Sequence, residues 1–201
     1  MRAAILLAAG RSRRFGPANK LMAPLNGRPL VLHALAAARA APAGRVIVVA
    51  GAQAHRVAAA VRRAGGRVSV VRACDHREGI AASLRAGFAA LRPIERTVFI
   101  FLGDMPAVPH RIASRLALHM ARRRAAAVRP AWRRRPGHPV LLRKPAPARI
   151  AALRGDRGLG AIDEGLVYLP VRERGVVRDI DRPGELGLSG EVGKRRPRPT
   201  G

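Results

Sequence analysis

The residues best suited to chemistry near the start of the sequence come directly after a short apolar run. Gly10 ends this run, and the cations Arg14 and Lys20 follow it. Backbone N–H groups and basic side chains that meet after a buried strand are where α/β proteins hold phosphates. The patterns G-x-x-x-x-G-K-[ST] and G-x-G-x-x-G are both absent here. We therefore predict a triphosphate site of another kind, with Arg14 and Lys20 as its cations. The neighbouring Arg11 and Arg13 are predicted to face solvent.

A second group of chemically suited residues is acidic. Asp104 follows the most apolar run in the chain, 97–102, and a carboxylate in that position is a good Mg²⁺ ligand beside phosphate oxygens. The chain has only 12 acidic residues, so few can supply a second ligand. Asp179 and Asp181 stand two apart, and alternation along a strand would place both on one face. Asp181 is the predicted second ligand.

Other candidates leave two interpretations open. His138 lies between a glycine and a proline just before an apolar run, where its ring either faces a pocket or is structural. Asp75 and Ser83 flank Gly79, where a third strand is predicted to lead into a helix. Either side chain could contact a base or ribose, or could cap the helix.

Apolar runs and helical patterns alternate regularly enough to define a fold class. Strands are predicted at 3–8, 45–50, 68–72 and 97–102, and helices at 29–40, 53–64, 79–91 and 109–122. This order predicts an α/β protein with a mainly parallel sheet between two layers of helices, a three-layer sandwich. Ligands of such sheets bind where strands end, which is where the candidate residues fall.

The rhythm changes after residue 124. Strands are predicted at 125–131, 140–142, 167–169 and 176–180, with a short helix at 147–153. We interpret 1–187 as a single domain, in which 1–124 binds the nucleotide and 125–187 binds the acceptor. The segment 188–201 is basic and proline-containing, and it is predicted to be a disordered tail.

The composition favours a cytoplasmic enzyme over a nucleic-acid-binding protein. The formal charge is +27, but 36 of the 39 basic residues are arginine and aromatic residues make up only 3%. Stacking platforms for nucleic acid are therefore scarce, and the arginine excess in a chain rich in Ala, Gly and Pro is typical of a GC-rich genome. Cys74 is the only cysteine, which excludes an internal disulfide, and no run is long enough to span a membrane. No signal peptide is predicted.

Several motifs in order along the chain resemble the molybdenum cofactor cytidylyltransferases, a branch of the molybdopterin nucleotidyltransferases. They cover roughly residues 3 to 187. The motifs are Leu7-Ala8-Ala9-Gly10, Arg14-Phe15-Gly16, Lys20-Leu21, Gly79 with Ser83-Leu84, Gly103-Asp104-Met105-Pro106, Gly137-His138-Pro139-Val140-Leu141, Gly155-Asp156-Arg157-Gly158 and Asp179-Ile180-Asp181 with Pro183.

The resemblance implies a dinucleotide-binding-like fold and a Mg²⁺-dependent reaction between CTP and molybdopterin. The terminal phosphate of the pterin would attack the α-phosphate of CTP and release pyrophosphate. Backbone groups of Leu7, Ala8, Ala9 and Gly10 would hold the nucleotide. Arg14 and Lys20 would bind its phosphates, Asp104 the metal, and the segment around His138 the pterin. The product's recipient would be a molybdoenzyme or its chaperone.

Some residues depart from the family pattern and keep alternatives open. The guanylyl branch has a second glycine where this chain has Ala9 and lacks the Gly-His-Pro-Val segment, which favours CTP over GTP. Gly160 replaces a frequent arginine, and Arg182, Gly184 and Glu185 alter the usual sequence after Asp181. The alternatives are a transferase using GTP or another phosphate acceptor, and a non-catalytic basic module that binds nucleotide, nucleic acid or a molybdoenzyme.

Overall fold

The computed structural model describes residues 1–10, 15, 19–51, 53–75, 78–155, 158–161 and 165–186. Arg11, Arg13, Arg14, Gly16, Asp156, Arg157 and the predicted tail 188–201 lie outside the described residues. The phosphate-binding role of Arg14 therefore stays a prediction from sequence.

A mixed, mostly parallel sheet forms the centre of the molecule. Its strand order is β10-β7-β9-β6-β1-β4-β5, with β8 paired to β7. Strand β9 runs antiparallel to both β6 and β7, whereas the contacts of β1 with β4 and β6 are parallel. The strands are β1 (Arg2–Ala8), β2 (Pro24–Leu25), β3 (Arg28–Pro29), β4 (Val46–Ala50), β5 (Val68–Arg72), β6 (Thr97–Leu102), β7 (Ala127–Trp132), β8 (Arg135–Pro136), β9 (Val140–Arg143) and β10 (Leu166–Val171).

Helices cover both faces of this sheet. They are α1 (Leu30–Arg39), α2 (Ala54–Arg63), α3 (Ile80–Ala89), α4 (Ile112–Arg123) and α5 (Pro147–Ala151). Alternate residues of β1 face opposite layers: Leu6 packs with residues of α1, α2 and α4, whereas Ile5 packs with residues of α3. Because the central strands are covered on both sides, they are apolar at consecutive positions. The predicted α/β class and its mainly parallel sheet are confirmed.

The segment predicted as a strand at 176–180 is not one. Residues Arg174–Val177 form a 3₁₀ turn, and the chain continues through 178–181 without joining the sheet. Its apolar residues are buried for another reason, since Val176 packs into the large core cluster and Ile180 packs against Leu25 and Leu30. We refer to these eight residues as the 174–181 segment. The two-residue strands β2, β3 and β8 were too short for the sequence pattern to predict.

The strands β1, β4, β5, β6 and β7 all end at one side of the sheet, which we call the carboxyl edge. The order in which strands are added to the sheet reverses between β1 and β6, since β4 and β5 lie on one side of β1 and β6 on the other. A crevice of this kind is where doubly wound sheets bind their ligands. The 174–181 segment crosses the edge, because the N–H of Ile180 donates to the carbonyl of Asp104 over 2.9 Å.

Candidate active site

Lys20 is held at the carboxyl edge by a short turn. Asn19 precedes the 3₁₀ turn Lys20–Met22, and its side-chain oxygen accepts the N–H of Leu21 over 3.0 Å. The N–H of Ala23 closes the turn on the carbonyl of Lys20. Leu21 packs into the core, and the Lys20 side chain is only 11% exposed. The turn therefore gives a largely buried cation a fixed direction.

The ammonium group of Lys20 joins two carboxylates that are distant in sequence. Its Nζ donates to Oδ2 of Asp104 and to Oδ1 of Asp181, each over 2.9 Å. Since each hydrogen bond is 2.9 Å long, the distance between these two carboxylate oxygens is at most twice that length. Burial alone would lower the pKa of Lys20, but the charges and hydrogen bonds of Asp104 and Asp181 outweigh it and raise the pKa above its ordinary 10.5. Lys20 is consequently cationic at neutral pH.

Asp104 reaches this position because of the strand before it. The N–H of Gly103 donates to the carbonyl of Leu7 over 2.8 Å, so the contact between β1 and β6 extends one residue beyond the strands. A Cβ on Gly103 would lie 3.0 Å from that carbonyl oxygen, which is tighter than ordinary packing. Asp104 is thus the first side chain that leaves the sheet at the crevice between β1 and β6.

Asp181 is oriented by a carboxylate that sequence reasoning did not assign. Oε2 of Glu185 accepts the N–H of Asp181 over 2.6 Å and the N–H of Arg182 over 3.1 Å. These two donors lower the pKa of Glu185. The turn Pro183–Glu185 carries proline at its first position and an acid at its third, which is a helix-start signature that could have revealed this role.

The structure separates the two aspartates that sequence reasoning grouped. Asp181 bonds Lys20, whereas Asp179 makes no direct hydrogen bond to it. Partial desolvation raises the pKa of Asp179, and the carboxylates of Asp181 and Asp104 act in the same direction. Since 178–181 is not a strand, the predicted alternation that would place both acids on one face is wrong. Asp181 shares Lys20 with Asp104, and its role as the second metal ligand stays a prediction.

His138 lies at the same edge, next to the 174–181 segment. Its N–H donates to the carbonyl of Val176 over 2.7 Å, and its peptide bond to Pro139 is cis. Arg129 lies alongside, with Nη2 3.4 Å from the ring Nε2 and with Nε donating to the carbonyl of Gly137. Burial and, to a lesser extent, the charge of Arg129 lower the pKa of His138 to about 4, so the ring is neutral at neutral pH.

The remaining predicted nucleotide residues line the other part of the edge. Leu7, Ala8 and Ala9 are buried, and Gly10 is exposed with open space where a Cβ would be. Asp75 is exposed, and Ser83 is buried in the first turns of α3.

Neither Asp75 nor Ser83 caps α3. The residue before this helix is Gly79, whose φ of 91° suits glycine and which has no side chain to bond the helix start. Whether these residues contact a nucleotide stays a prediction.

Asp104 and Asp181 fit a divalent cation of the magnesium type. Within the described ranges, no group of three or more His, Cys, Asp or Glu side chains gathers as a metal cluster. Mg²⁺ does not need one, because it usually takes one or two carboxylates and completes its shell with water and substrate phosphates. Asp104, which follows β6, and Asp181 each have a carboxylate oxygen bonded to the Lys20 ammonium group. These two convergent carboxylates match that requirement.

The site could therefore neutralise a polyphosphate once its two carboxylates hold a divalent cation, and no covalent intermediate is needed. It combines a buried lysine, two convergent carboxylates and the backbone that follows β1. Phosphoryl-type transfer depends chiefly on positioning and charge neutralisation, which these groups supply. The fold and this edge define a nucleotidyltransferase.

Comparison with known families agrees with that class. The sequence profile described as "MobA-like NTP transferase domain" matches residues 4–170, and the chain belongs to this family. It therefore carries a nucleotidyltransferase domain of the NTP transferase type. In the described part of the chain, no helix combines the length and apolarity that crossing a bilayer would require.

Solved structures and curated proteins show the same similarity. Rv0371c from Mycobacterium tuberculosis H37Rv superposes with a TM-score of 0.77 at 25% identity, covering 94% of this chain and 97% of that one. A manganese complex of Rv0371c gives 0.67 at 26% identity, covering 84% and 87%. The bifunctional protein GlmU of Kineococcus radiotolerans is 38% identical over 117 residues, 57% of this chain but 24% of that protein. The chain thus spans about a quarter of this curated relative's length.

Proposed function

We propose that the chain transfers CMP from CTP to the terminal phosphate of the molybdopterin cofactor and releases pyrophosphate. The observation that carries this proposal is the contact of Lys20 with Asp104 and Asp181 at the carboxyl edge. In the reaction, an oxygen of the pterin phosphate forms a bond to the α-phosphorus of CTP. The bond from that phosphorus to the bridging oxygen breaks, and pyrophosphate carries away the electron pair.

Each residue of the site has a defined task in this scheme. The backbone of 7–10 holds the nucleotide, and Lys20, together with Arg14, balances the charge of the triphosphate and then of the departing pyrophosphate. The acceptor phosphate is already ionised, so no general base is required. His138 is neutral and lies on the side of β9, where it would contact an uncharged polar group of the pterin.

Asp104 and Asp181 would hold the divalent cation, which is proposed to be Mg²⁺. When bound, the cation would polarise the phosphates and offset the charge that builds up during transfer. The manganese complex of Rv0371c, a structural relative at 26% identity, supports a divalent cation in this fold. Glu185 fixes the peptide groups on either side of Asp181 and would keep this carboxylate aimed at the cation.

The choice of CTP rests on sequence. Ala9 stands where the guanylyl branch has a glycine, and Gly137-His138-Pro139-Val140 is present. The structure supports the use of the second motif, because His138 lies on the same edge as Asp104. The recipient of the product would be a molybdoenzyme or its chaperone.

The test is pyrophosphate release with CTP, GTP, ATP and UTP in turn, each with and without molybdopterin. We expect release only with CTP and molybdopterin together, and a fall of about 10²-fold or more in Asp104→Asn, which keeps the shape of the side chain but loses its charge. Arg63→Gln is the control, because Arg63 is exposed at the end of α2, on the edge opposite the site. Its rate should equal that of the wild type.

Each result bears on a different part of the proposal. Release with GTP in place of CTP would make the chain a guanylyltransferase. Release with another phosphate acceptor would mean that the residues proposed to bind the pterin bind that acceptor instead. An unchanged rate in folded Asp104→Asn would remove Asp104 from the reaction. Binding to DNA that falls steeply with salt, with no turnover of any triphosphate, would favour the non-catalytic basic module.

A further inference from the structure

An aromatic and cationic cluster that the proposed reaction does not use lies at the end of β7. Trp132 is the last residue of this strand, and Arg133 and Arg134 form the two-residue turn to β8. The guanidinium carbon of Arg133 is 4.9 Å from the centre of the indole ring. That of Arg174, which belongs to the 174–181 segment, is 5.7 Å away. We call Trp132, Arg133, Arg134 and Arg174 the arginine patch.

The arginine patch borders the acceptor side of the active site. Strands β6 and β7 are parallel to each other, since both are antiparallel to β9, and therefore both end at the carboxyl edge. Two residues after Arg174, the carbonyl of Val176 accepts the N–H of His138. The nucleotide residues follow β1 and β5, on the opposite flank of Asp104. A ligand on the arginine patch would thus share the edge with the acceptor.

The positive charge of the arginine patch is not balanced by acids. All three of its arginines are exposed, and none has a carboxylate partner in the part of the chain that the structure describes. Glu173 precedes Arg174 but is paired with Arg111 over 2.7 Å and with Arg115 over 3.0 Å. Guanidinium groups that converge without a counter-charge repel one another and attract anions.

The backbone of the turn is unusual for arginine. Arg133 has a φ of 47° and Arg134 a φ of 66°, which is the left-handed region that two-residue hairpin turns normally fill with asparagine or glycine. Stacking on Trp132 gives Arg133 a fixed place despite this conformation, through a cation–π contact. Because Arg174 meets the same indole from a separate segment, the ring orients two cations that are 41 residues apart in sequence.

We propose that the arginine patch binds a second anionic group of the acceptor, distant from the phosphate that attacks the nucleotide. This assignment rests on the proposed function, because it places the acceptor on the side of β7 and β9. The ligand class is a phosphate-like oxyanion, for which guanidinium groups offer paired N–H donors. No bond is made or broken at the arginine patch, whose task is to bind and orient the acceptor.

The chain provides its own probe of this site. Trp132 is its only tryptophan, so the intrinsic fluorescence reports directly on the arginine patch. Inorganic phosphate is titrated at constant ionic strength, with no nucleotide present. We expect a saturable change in emission, with affinity reduced about tenfold in Arg133→Gln and in Arg174→Gln, in line with the loss of a charge-assisted contact. Arg63→Gln, at the end of α2 on the opposite edge, is the control and should bind as the wild type does.

Kinetics with the complete reaction separate this inference from the proposed function. We expect Arg133→Gln and Arg174→Gln to raise KM for molybdopterin and to leave KM for CTP and the affinity for Mn²⁺ unchanged. If CTP and molybdopterin react but KM for molybdopterin stays the same in both variants, the role of the arginine patch is refuted and the proposed function stands. If they do not react but phosphate still saturates the arginine patch, the proposed function fails and the anion site stands.

Two further outcomes would overturn the site itself. The first is an emission change that does not saturate or that persists in the double variant, since this would be a general effect of salt. The second is displacement of phosphate by a DNA oligonucleotide whose affinity falls steeply with salt. That result would assign the arginine patch to nucleic acid instead of the acceptor.

Discussion

Lys20 occupies the place between two carboxylates where a divalent cation would be expected to bind. Its Nζ is 2.9 Å from an oxygen of Asp104 and 2.9 Å from one of Asp181, so its single positive charge offsets part of the charge of both. An ammonium group and a metal ion cannot share that position. A cation bound there would therefore require Lys20 to turn toward the phosphates, and Lys20 would compete with the cation until then.

This competition leads to an unusual expectation for Lys20→Met. The variant should bind Mn²⁺ more tightly than the wild type in the absence of nucleotide, because the competing ammonium is gone, yet its turnover should fall by about 10²-fold. Calorimetric titration of Mn²⁺ and pyrophosphate release measure the two effects. Lys144→Met is the matched control, since the Lys144 side chain is not part of the site. Weaker or unchanged Mn²⁺ binding in folded Lys20→Met would contradict the competition.

Glu185 acts on the site through Asp181. Removing its carboxylate leaves the N–H groups of Asp181 and Arg182 without their acceptor, so the 174–181 segment loses its anchor next to the site. We expect Glu185→Ala to weaken Mn²⁺ binding about tenfold, as is usual for groups that orient metal ligands, and Glu185→Gln to weaken it less. Glu78→Ala should have no effect. Equal affinities in Glu185→Ala and the wild type would show that Asp181 is oriented without Glu185.

At the scale of elements, the 174–181 segment ties the two halves of the site together. Its carbonyl at Val176 accepts the N–H of His138, and its N–H at Ile180 donates to Asp104. Gly175 lies against the loop after Asp104, where a Cβ would overlap the carbonyl oxygen of Ala107. Only glycine permits this approach, so the spacing between His138 and Asp104 depends on it.

Gly175→Ala should separate these elements. We expect the free energy of unfolding to fall by about 1–3 kcal/mol, the usual result of forcing an extra carbon into a packed contact, together with a loss of turnover. Urea denaturation and pyrophosphate release measure the two effects. Gly44→Ala is the control, because its Cβ would meet only ordinary contacts with Met1 and Arg2. The packing argument fails if both substitutions have the same small effect.

The sequence predicted correctly those strands whose burial is visible as a run of consecutive apolar residues. The run 97–102 is apolar at consecutive positions because both of its faces are covered, and β6 begins and ends at those residues. The run 176–180 has three apolar residues among five, but Val176 and Ile180 are buried without joining the sheet. Sequence alone cannot distinguish these two kinds of burial. Lys20, Asp104 and Asp181 were predicted from residue type, whereas Glu185 acts through backbone N–H groups that only the folded turn presents.

At the scale of the whole molecule, a buried ion pair joins several elements at the edge opposite the site. Arg45 donates through Nε and Nη2 to the two carboxylate oxygens of Glu95, over 2.8 and 2.9 Å, and Nη2 also donates to the carbonyl of Ala90 after α3. Hydrogen bonds from Arg45 lower the pKa of Glu95 below its ordinary 4.5. Arg45 precedes β4 and Glu95 precedes β6, so the pair links both sides of β1.

Stability should therefore depend on the charge of Glu95. A lowered folded-state pKa gives stability that is fully present above pH 4.5 and is lost as the pH falls through the folded-state pKa. We expect Glu95→Gln to reduce the free energy of unfolding by about 3 kcal/mol at pH 7, because Arg45 stays buried without its partner, and the difference should shrink below pH 4.5. Urea denaturation across this pH range measures it. Glu78→Gln, at an exposed pair, should cost about 0.5 kcal/mol. A difference that is the same at pH 3 and pH 7 would rule out this origin.

The contact between Lys20 and Asp181 joins positions 161 residues apart. A nascent polypeptide leaves the ribosome from its N-terminus, so Lys20 and Asp104 are both made well before Asp181. During that interval the lysine has one acid to pair with, and the segment that positions the second does not yet exist. The pocket is therefore completed late in translation, because the 174–181 segment is synthesised after the strands of the sheet.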